Sequence, residues 1–168
     1  HVIANQRYAV IAAERGGAAS LWQGMALTRW HPDAAGDDGG ARVYLADREG
    51  PLRVSTAGHG SAGLRHETHF HPHLVDQHVR GDGVAVRLRT AVAPDADVEV
   101  RELVVSNEGP AARLLLAASY AEIVLGDALA DARHPAFSKL FLEAEVLDAG
   151  TTIVLRRRPR GAREPAAW

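Results

Sequence analysis

The clearest pattern in the chain is an alternation of apolar and polar residues with a period of two. Val84, Val86 and Leu88 occupy one face of a segment whose other face carries Arg87 and Arg89. Successive side chains on a strand point to opposite faces of a sheet. The pattern therefore predicts a half-buried strand with its aliphatic side chains in the core.

A second alternating segment, residues 97–105, follows after a short stretch rich in Pro and Asp. In this segment Val98 and Val100 are predicted to face the core, and Glu99 and Arg101 to face the solvent. Because Pro and Asp favour tight turns, the two alternating segments are predicted to pair as an antiparallel hairpin.

Further strands are predicted at Tyr8–Ala13, Met25–Trp30, Arg42–Asp47, Leu52–Ser55, Leu74–Val79, Arg113–Leu125, Phe141–Leu147 and Thr152–Arg157. Only Gly126–Leu140 has the composition of a short helix, which Pro135 would stop or redirect. About ten short strands separated by turn signals are typical of a sandwich rather than of alternating βαβ units. We therefore predict an all-β antiparallel sandwich with at most one short helix, as a single domain over residues 1–168.

Composition narrows the classes of function. The 168 residues are 46% hydrophobic and 24% charged, with a formal net charge of -2 and no Cys. Such a chain is neither disordered nor a purely electrostatic nucleic-acid binder, which would carry an excess of Lys and Arg. Without Cys the fold has no disulfides and no thiolate metal site, which fits a reducing cytoplasm. We expect no cofactor and no nucleic-acid partner.

Five histidines form the most conspicuous candidate for a metal site: His66, His69, His71, His73 and His78. Residues two apart on a strand share a face, where imidazoles can converge on a metal ion. A proline interrupts this spacing, and neutral His is also common on the wet face of a sheet. We therefore predict no metal site.

The adjacent pair Asp37 and Asp38 lies in a Gly-rich and Asp-rich loop. Two adjacent carboxylates rarely bracket a glycosidic bond, so a solvated turn is the simpler interpretation. With Arg29 and Trp30 they are a second candidate, a sugar-binding rim, because carbohydrate needs carboxylate acceptors, a guanidinium donor and an aromatic face. The alternative is that Trp30 is a core residue and that Arg29 pairs with Asp37 or Asp38 to hold the loop.

The basic segment 156–160 has two interpretations as well. Its guanidinium groups match phosphate oxygens, but such a run is more often a solvated strand end. The sequence has no Gly-x-Ser-x-Gly elbow, no phosphate-binding Gly-x-x-x-x-Gly-Lys loop and no Cys nucleophile. We therefore predict no catalytic residue.

Several short segments occur in the order found in one known family. They are Asn5-x-Arg7-Tyr8-Ala9-Val10, Leu27-Thr28-Arg29-Trp30, Asp37-Asp38, Tyr44-Leu45-x-Asp47, Ala91-Val92-x-Pro94, Ser119-Tyr120-Ala121-Glu122, His134-Pro135-Ala136-Phe137-Ser138 and Leu140-Phe141. Over nearly its whole length the chain resembles the amino-terminal β-sandwich domain of glycoside hydrolase family 94 modules. These modules occur in cyclic β-1,2-glucan synthases and are related to cellobiose phosphorylase.

The resemblance implies a β-supersandwich similar to the galactose mutarotase fold, placed before an (α/α)₆ barrel that holds the catalytic carboxylate. It implies that the domain packs on this barrel, helps to form a homodimer, and is inactive alone. The parent enzyme would act on β-1,2-glucan with phosphate as the attacking group, in the bacterial inner membrane with this domain in the cytoplasm. The expected carbohydrate-binding residues are Arg29, Trp30, Asp37 and Asp38, where the family's Thr-Arg-Trp and Asp-Asp fall.

Three classes of function follow from this reading. The first is a non-catalytic domain excised from a larger multidomain enzyme, a glucan synthase or a related phosphorylase. The second is a stand-alone carbohydrate-binding module, and the third is an interaction domain that binds no sugar. Exposure of Phe137, Phe141 or Trp168 would favour the first, because a large apolar patch marks a partner surface. A wet groove with aromatic platforms would favour the second.

Overall fold

The computed structural model describes residues 1–30, 40–48, 50, 53–56, 63–159 and 161. The strands are, in chain order, β1 (Val2–Ala4), β2 (Tyr8–Ala12), β3 (Ala18–Trp22), β4 (Met25–Thr28), β5 (Arg42–Asp47), β6 (Arg53–Ser55), β7 (Arg65–Phe70), β8 (Leu74–Gly81), β9 (Val84–Val92), β10 (Glu99–Asn107), β11 (Leu115–Tyr120), β12 (Ile123–Gly126), β13 (Leu142–Leu147) and β14 (Thr152–Arg157). The helices are α1 (Ala128–Arg133) and α2 (Pro135–Lys139), and a 3-10 turn spans Asp148–Gly150.

These strands form antiparallel sheets. Sheet A has the order β1-β2-β3-β4-β12, sheet B the order β11-β5-β6, and sheet C the order β10-β9-β8-β7, while β13 and β14 form a hairpin. A bridge between Ala18 and Ala41 joins sheets A and B. Sheets A and B therefore lie side by side and form one layer of a sandwich. Sheet C forms the other layer.

The core lies between these layers. Sheets B and C are joined by a cluster of buried residues, Leu45, Val54, Val79, Val84 and Val86. Sheets A and C are joined by Ile3, Ala12 and Val75, with Val92 packed against them. Burying a side chain of this size stabilises the fold by roughly 1.5–3 kcal/mol. The predicted all-β antiparallel sandwich is confirmed, and so is the inward face of the 84–88 segment.

The hairpin of β8 and β9 closes through a two-residue turn. Asp82 and Gly83 both have positive φ, 50° and 70°. A turn of this kind matches the right-handed twist of the flanking strands, and only Gly adopts its second position without strain. The resulting register places Asp76 opposite Arg89 and His78 opposite Arg87, and so builds the charged face of sheet C.

The facing of β10 is the reverse of the prediction. Val98 and Val100 are 47% and 54% exposed, whereas the Glu99 side chain is only 9% exposed. Glu99 and Arg101 pair with inward-facing residues of β9, so they point between the layers. Alternation alone does not say which face is buried, and here the interior supplies hydrogen-bond partners for the polar face.

The helical segment also differs from the prediction, because it holds two short helices rather than at most one. Asp127 caps α1 by accepting a hydrogen bond from the Ala130 amide at 2.7 Å. The predicted effect of Pro135 is confirmed, since it ends the α1 region and stands at the first turn of α2, where its missing N–H costs nothing. No helix within the described ranges is long and apolar enough to cross a membrane.

Most predicted strands are present with end shifts of a few residues. The predicted strand at Arg113–Leu125 is instead two strands, β11 and β12, which belong to different sheets. Strands β1, β3 and β7 were not predicted, because their sequences alternate weakly. The break between β11 and β12 matters for function, because the segment that crosses between the sheets carries Glu122.

Candidate functional site

Arg29 is the centre of a buried polar cluster. It follows β4 directly, and its amide donates to the Glu122 carbonyl at 2.8 Å, which ties it to the start of β12. Its Nε and Nη2 donate to the two carboxylate oxygens of Asp131 at 2.7 and 2.9 Å. Both side chains are buried, and this bidentate pair raises the pKa of Arg29.

Asp131 reaches Arg29 because α1 lies across the outer face of sheet A. The Asp127 cap starts the helix one residue after β12, and Asp131 then falls on the helix face that meets the sheet. A carboxylate near a helix N-terminus is favoured by the helix dipole. The pair therefore fastens α1 to the edge of sheet A across about a hundred residues of sequence.

Glu122 is the second acid at Arg29 and extends the cluster towards sheet B. Its Oε2 accepts from Nη1 of Arg29 and lies 3.4 Å from the Lys139 Nζ. Its Oε1 accepts from the Tyr120 hydroxyl at 3.1 Å. The Tyr120 ring is thus held by a chain of contacts that ends at the buried ion pair.

Tyr120 continues into an aromatic surface on the outer face of sheet B. The register places Tyr120 beside Arg42 and Ala118 beside Tyr44. The two rings stand edge to face with centroids 6.3 Å apart, and the Arg42 guanidinium carbon lies 5.9 and 5.6 Å from them. Each tyrosine is 41% exposed, so the rings form a platform that solvent reaches.

A groove of about 380 Å³ runs from this platform to the β13–β14 hairpin. Its polar lining comes from Tyr120, Glu122, Lys139 and Glu143. Its apolar lining comes from Ala121, Ile123, Leu142, Ala144 and Leu155. Such a mixture of an aromatic ring, donors, acceptors and aliphatic wall is suited to a ligand with both hydroxyl groups and apolar faces.

The four predicted carbohydrate-binding residues lie as follows. Arg29 is 6% exposed and is held by Asp131 and Glu122. Trp30 is half-buried beside an apolar cavity of about 290 Å³ between sheet A and α1. Asp37 and Asp38 lie outside the described residues. Sugar binding by these four residues stays a prediction.

A second polar cluster centres on Asp76, on the outer face of sheet C. Asp76 is 4% exposed, and it accepts from the Nε of Arg87 at 2.8 Å and contacts the His78 Nε2 at 3.0 Å. Arg89 lies 3.7 Å away. The hydrogen bonds from Arg87 hold the pKa of Asp76 below its ordinary value. Residues of two neighbouring strands, β8 and β9, therefore form a charged, half-exposed face.

Of the five histidines, His69 and His78 lie on this face and His71 and His73 at the β7–β8 turn. His66 pairs with the core residue Val79 and lies on the opposite face of β7. The rings of His69 and His78 meet edge to face at 5.4 Å, and those of His71 and His73 lie 6.2 Å apart. No three His, Asp or Glu side chains in the described part of the chain are grouped so that they could hold a metal ion. Among the five, His78 contacts Asp76.

The basic segment is neither fully solvated nor free for phosphate. Arg156 and Arg158 donate to Glu143 at 2.9 and 2.8 Å. Arg157 between them is 5% exposed, and its Nη1 donates to the Val124 carbonyl at 3.0 Å. The Nε and Nη2 of Arg157 find no acceptor within the described ranges.

A third polar cluster lies inside the sandwich, where β10 faces sheet A. Glu99 accepts from the Tyr8 hydroxyl at 3.1 Å and from Ser20 at 2.5 Å, beside a cleft of about 490 Å³. Burial, together with the nearby charge of Glu99, raises the pKa of Tyr8 to about 12. These bonds explain why Glu99 faces inward.

Comparison with known proteins shows the family of this chain. The family model described as glycosyl hydrolase 94, supersandwich domain, matches residues 1–168. The chain belongs to this family. It is also 31% identical over 166 residues to the cyclic beta-(1,2)-glucan synthase NdvB of Rhizobium meliloti (strain 1021). This match covers 98% of the present chain but only 6% of that synthase, so the chain spans a small part of the length of the relative it matches.

The glycosyl hydrolase 94 membership confirms the resemblance found in the sequence, and the supersandwich class with it. Several of the motifs that carried the resemblance meet in space at the Arg29 cluster. Arg29 comes from Leu27–Trp30, Tyr44 from the β5 motif, and Tyr120 and Glu122 from a third motif. Motifs that lie far apart in this sequence therefore build one continuous surface.

Sequence reasoning missed three members of this surface. The sequence predicts Asp131 only as part of a short helix, and no local pattern links it to Arg29. Tyr120 and Glu122 belong to the motif Ser119-Tyr120-Ala121-Glu122, but the sequence indicates no role for them. Tyr120 and Glu122 lie two positions apart where the chain passes from sheet B to sheet A, so they do not belong to one alternating strand pattern.

Proposed function

We propose that this chain is the non-catalytic β-sandwich domain of a larger glucan-acting enzyme of the glycosyl hydrolase 94 class, and that it supports a neighbouring (α/α)₆ catalytic barrel. The domain would take part in the enzyme's work on β-1,2-glucan and phosphate by holding the barrel and by forming the homodimer. The parent enzyme would lie in the bacterial inner membrane with this domain on the cytoplasmic side.

The exposure of apolar side chains in the last third of the chain carries this proposal. Large apolar residues are exposed on α1, on and just after α2, and on the hairpin: Leu129, Phe137, Leu140, Val146, Leu147 and Ile153. Phe137 is 50% exposed, as expected for a barrel-facing surface, whereas Phe141 is half-buried and Trp168 lies outside the described residues. Exposed apolar groups in this number are typical of a surface that meets another domain.

The buried Arg157 supports the same assignment of the hairpin as a contact region. A buried guanidinium with unused donors costs several kcal/mol unless another group compensates it. Arg157 lies at the end of the hairpin whose outer residues Val146 and Ile153 are exposed. A neighbouring domain that docks on this hairpin would bury Val146 and Ile153. It would also offer hydrogen-bond acceptors near Arg157.

The predicted sugar-facing rim takes a modified form in this proposal. Arg29 serves as the anchor that fixes the end of β4, because Asp131 and Glu122 already bind its guanidinium. Trp30 and the loop with Asp37 and Asp38 would then be the part of the rim that meets sugar. The four residues act together, with Arg29 as a positioning residue.

Two measurements test the proposal. The purified chain is expected to release no glucose phosphate from β-1,2-glucan with inorganic phosphate, and no reducing sugar without it. In the full-length enzyme that carries this sequence, Ile153→Asp with Val146→Asp is expected to loosen the domain from the barrel, seen as faster proteolysis between them. Turnover by the isolated chain, or unchanged proteolysis in the variant, would contradict the proposal.

A further inference from the structure

We propose that the outer face of sheet B is a binding site for a neutral β-linked glucan chain, formed by the Tyr44–Tyr120 platform and the groove beside it. This inference rests on the proposed function for the identity of the ligand, but not for the position of the site. It adds a second sugar contact, on residues other than the predicted rim of Arg29, Trp30, Asp37 and Asp38.

The shape of the platform suits a pyranose ring. Tyr44 and Tyr120 stand diagonally on neighbouring strands, and the residue beside Tyr44 on β11 is the small Ala118. A shallow step is therefore left between two exposed rings, where the C–H face of a sugar can stack. Ser55 lies opposite Tyr44 on β6 and extends the surface with a hydroxyl.

Hydrogen-bonding groups border the rings on both sides. The Arg42 guanidinium lies within 6 Å of both ring centroids and presents its donors at the platform. On the other side, the groove presents the Glu122 and Glu143 carboxylates and the Lys139 ammonium group. Sugar hydroxyls can donate to the former and accept from the latter.

The electrostatic balance of the groove favours a neutral ligand over phosphate. Glu122 is compensated by Arg29 and Lys139. Glu143 is compensated in the same way by Arg156 and Arg158, at 2.9 and 2.8 Å. Arg29 also pairs with the buried Asp131, and Arg156 lies 4.0 Å from Glu145. Four cations therefore face four carboxylates, and the groove offers donors and acceptors without an excess of either charge. A chain of sugar units, long enough to reach from the platform into the groove, fits this pattern.

The platform is also fixed before any ligand arrives. The Tyr120 hydroxyl donates to Glu122, which is held in turn by Arg29 and, through Arg29, by the buried Asp131. A ring that is already ordered loses little freedom on binding, which raises affinity for a given contact area. This coupling explains why several family motifs meet here while only part of the cluster reaches solvent.

The test is a titration of the ¹⁵N-labelled 168-residue chain with a linear β-1,2-linked glucan oligosaccharide, followed by amide shifts. Shifts are expected at residues 42–46, 118–122 and 139–144, with a Kd on the order of millimolar. Tyr120→Ala and Tyr44→Ala are each expected to weaken binding by about tenfold. Tyr120→Phe keeps the ring and is expected to retain most of the affinity.

Phe70→Ala is the matched control, because Phe70 is an aromatic residue that is 41% exposed, like the two tyrosines, but lies on sheet C. It is expected to bind as the original chain does, and thermal unfolding checks that every variant is folded. Shifts confined to Arg29 and Trp30 would overturn this inference while leaving a glucan-associated domain intact. Shifts at the platform with the separately purified barrel but not with glucan would assign this face to protein contact and also overturn it.

Discussion

Arg29 and Arg157 are two arginines buried to nearly the same extent, 6% and 5% exposed, in very different surroundings. Arg29 follows β4 and meets two carboxylates, Asp131 and Glu122. Arg157 ends β14 and meets one backbone carbonyl, that of Val124, within the described structure. The charge of the first is compensated where it lies, and that of the second is not.

This difference separates a region whose charges are paired among the described residues from one whose charges are not. The Arg29 region joins sheet A, α1 and the start of β12 through paired groups, so it holds the fold together. The hairpin around Arg157 combines unused buried donors with exposed Val146 and Ile153. We infer that the hairpin contributes less to the stability of the domain and more to its contact with the proposed barrel.

The largest effect is expected from Asp131→Asn, which breaks the Arg29 region. Loss of the carboxylate leaves the buried Arg29 with Glu122 as its charged partner and is expected to lower the free energy of unfolding by about 3 kcal/mol. Urea unfolding followed by circular dichroism measures this change. Asp95→Asn, at an exposed turn, is the control and should stay within about 0.5 kcal/mol of the original chain. A loss below about 1 kcal/mol in Asp131→Asn would show that the pair is not structural.

A smaller, pH-dependent effect is expected at Asp76, a buried carboxylate whose cationic partners are half-exposed. The pKa of Asp76 in the folded chain lies below its ordinary value of 3.8, because Arg87 donates to it. Its contribution to stability is therefore present above about pH 4 and is lost as the pH falls through its folded pKa. Asp76→Asn should lose less stability than the original chain between pH 5 and pH 3. Equal losses in both proteins would remove Asp76 as the cause.

Arg157→Met tests the other half of the comparison. Met keeps much of the side-chain volume and removes two donor atoms that have no acceptor among the described residues. The free energy of unfolding is therefore expected to change by less than about 1 kcal/mol or to rise. Arg29→Met, by contrast, should be destabilising because it strands Asp131. The two variants are compared by urea unfolding under the same conditions. If Arg157→Met lowers the free energy of unfolding as much as Arg29→Met does, the proposed difference between the two arginines is contradicted.

The smallest effect on stability is expected from Val146→Ser with Ile153→Ser, which lie opposite each other on the hairpin. Both side chains are more than 60% exposed, so their loss should change the free energy of unfolding by no more than about 0.5 kcal/mol. Self-association of the chain at high concentration, measured by sedimentation, should decrease. Unchanged self-association would mean that this apolar surface does not drive association of the isolated chain.

Much of this fold could be predicted from the sequence, and the failures have physical reasons. The alternation in β9 gave the correct strand and face, because Val84 to Leu88 is buried on one side. The same reasoning failed for β10, where the apolar residues face outward and Glu99 is satisfied inside by Tyr8 and Ser20. A period of two identifies a strand, but only its partners decide which face is buried.

The candidate site was harder to predict because its parts come from distant segments. The sequence indicates Arg29 through its donor chemistry and its motif. Its partner Asp131, however, is about a hundred residues away, and Tyr44 belongs to another sheet. No local pattern links these positions. The family resemblance supplied the motifs, and the structure was needed to bring them to one surface.

Hydrogen exchange of the hairpin tests the central claim most directly. Amide exchange is compared between the isolated chain and the same residues within the full-length enzyme that carries them. Slower exchange is expected in the full-length enzyme at α2, β13 and β14, with the outer strands of sheet C unchanged. Equal exchange of the hairpin in both forms, or protection confined to sheet C, would contradict the claim that α2 and the hairpin are the contact surface of this domain.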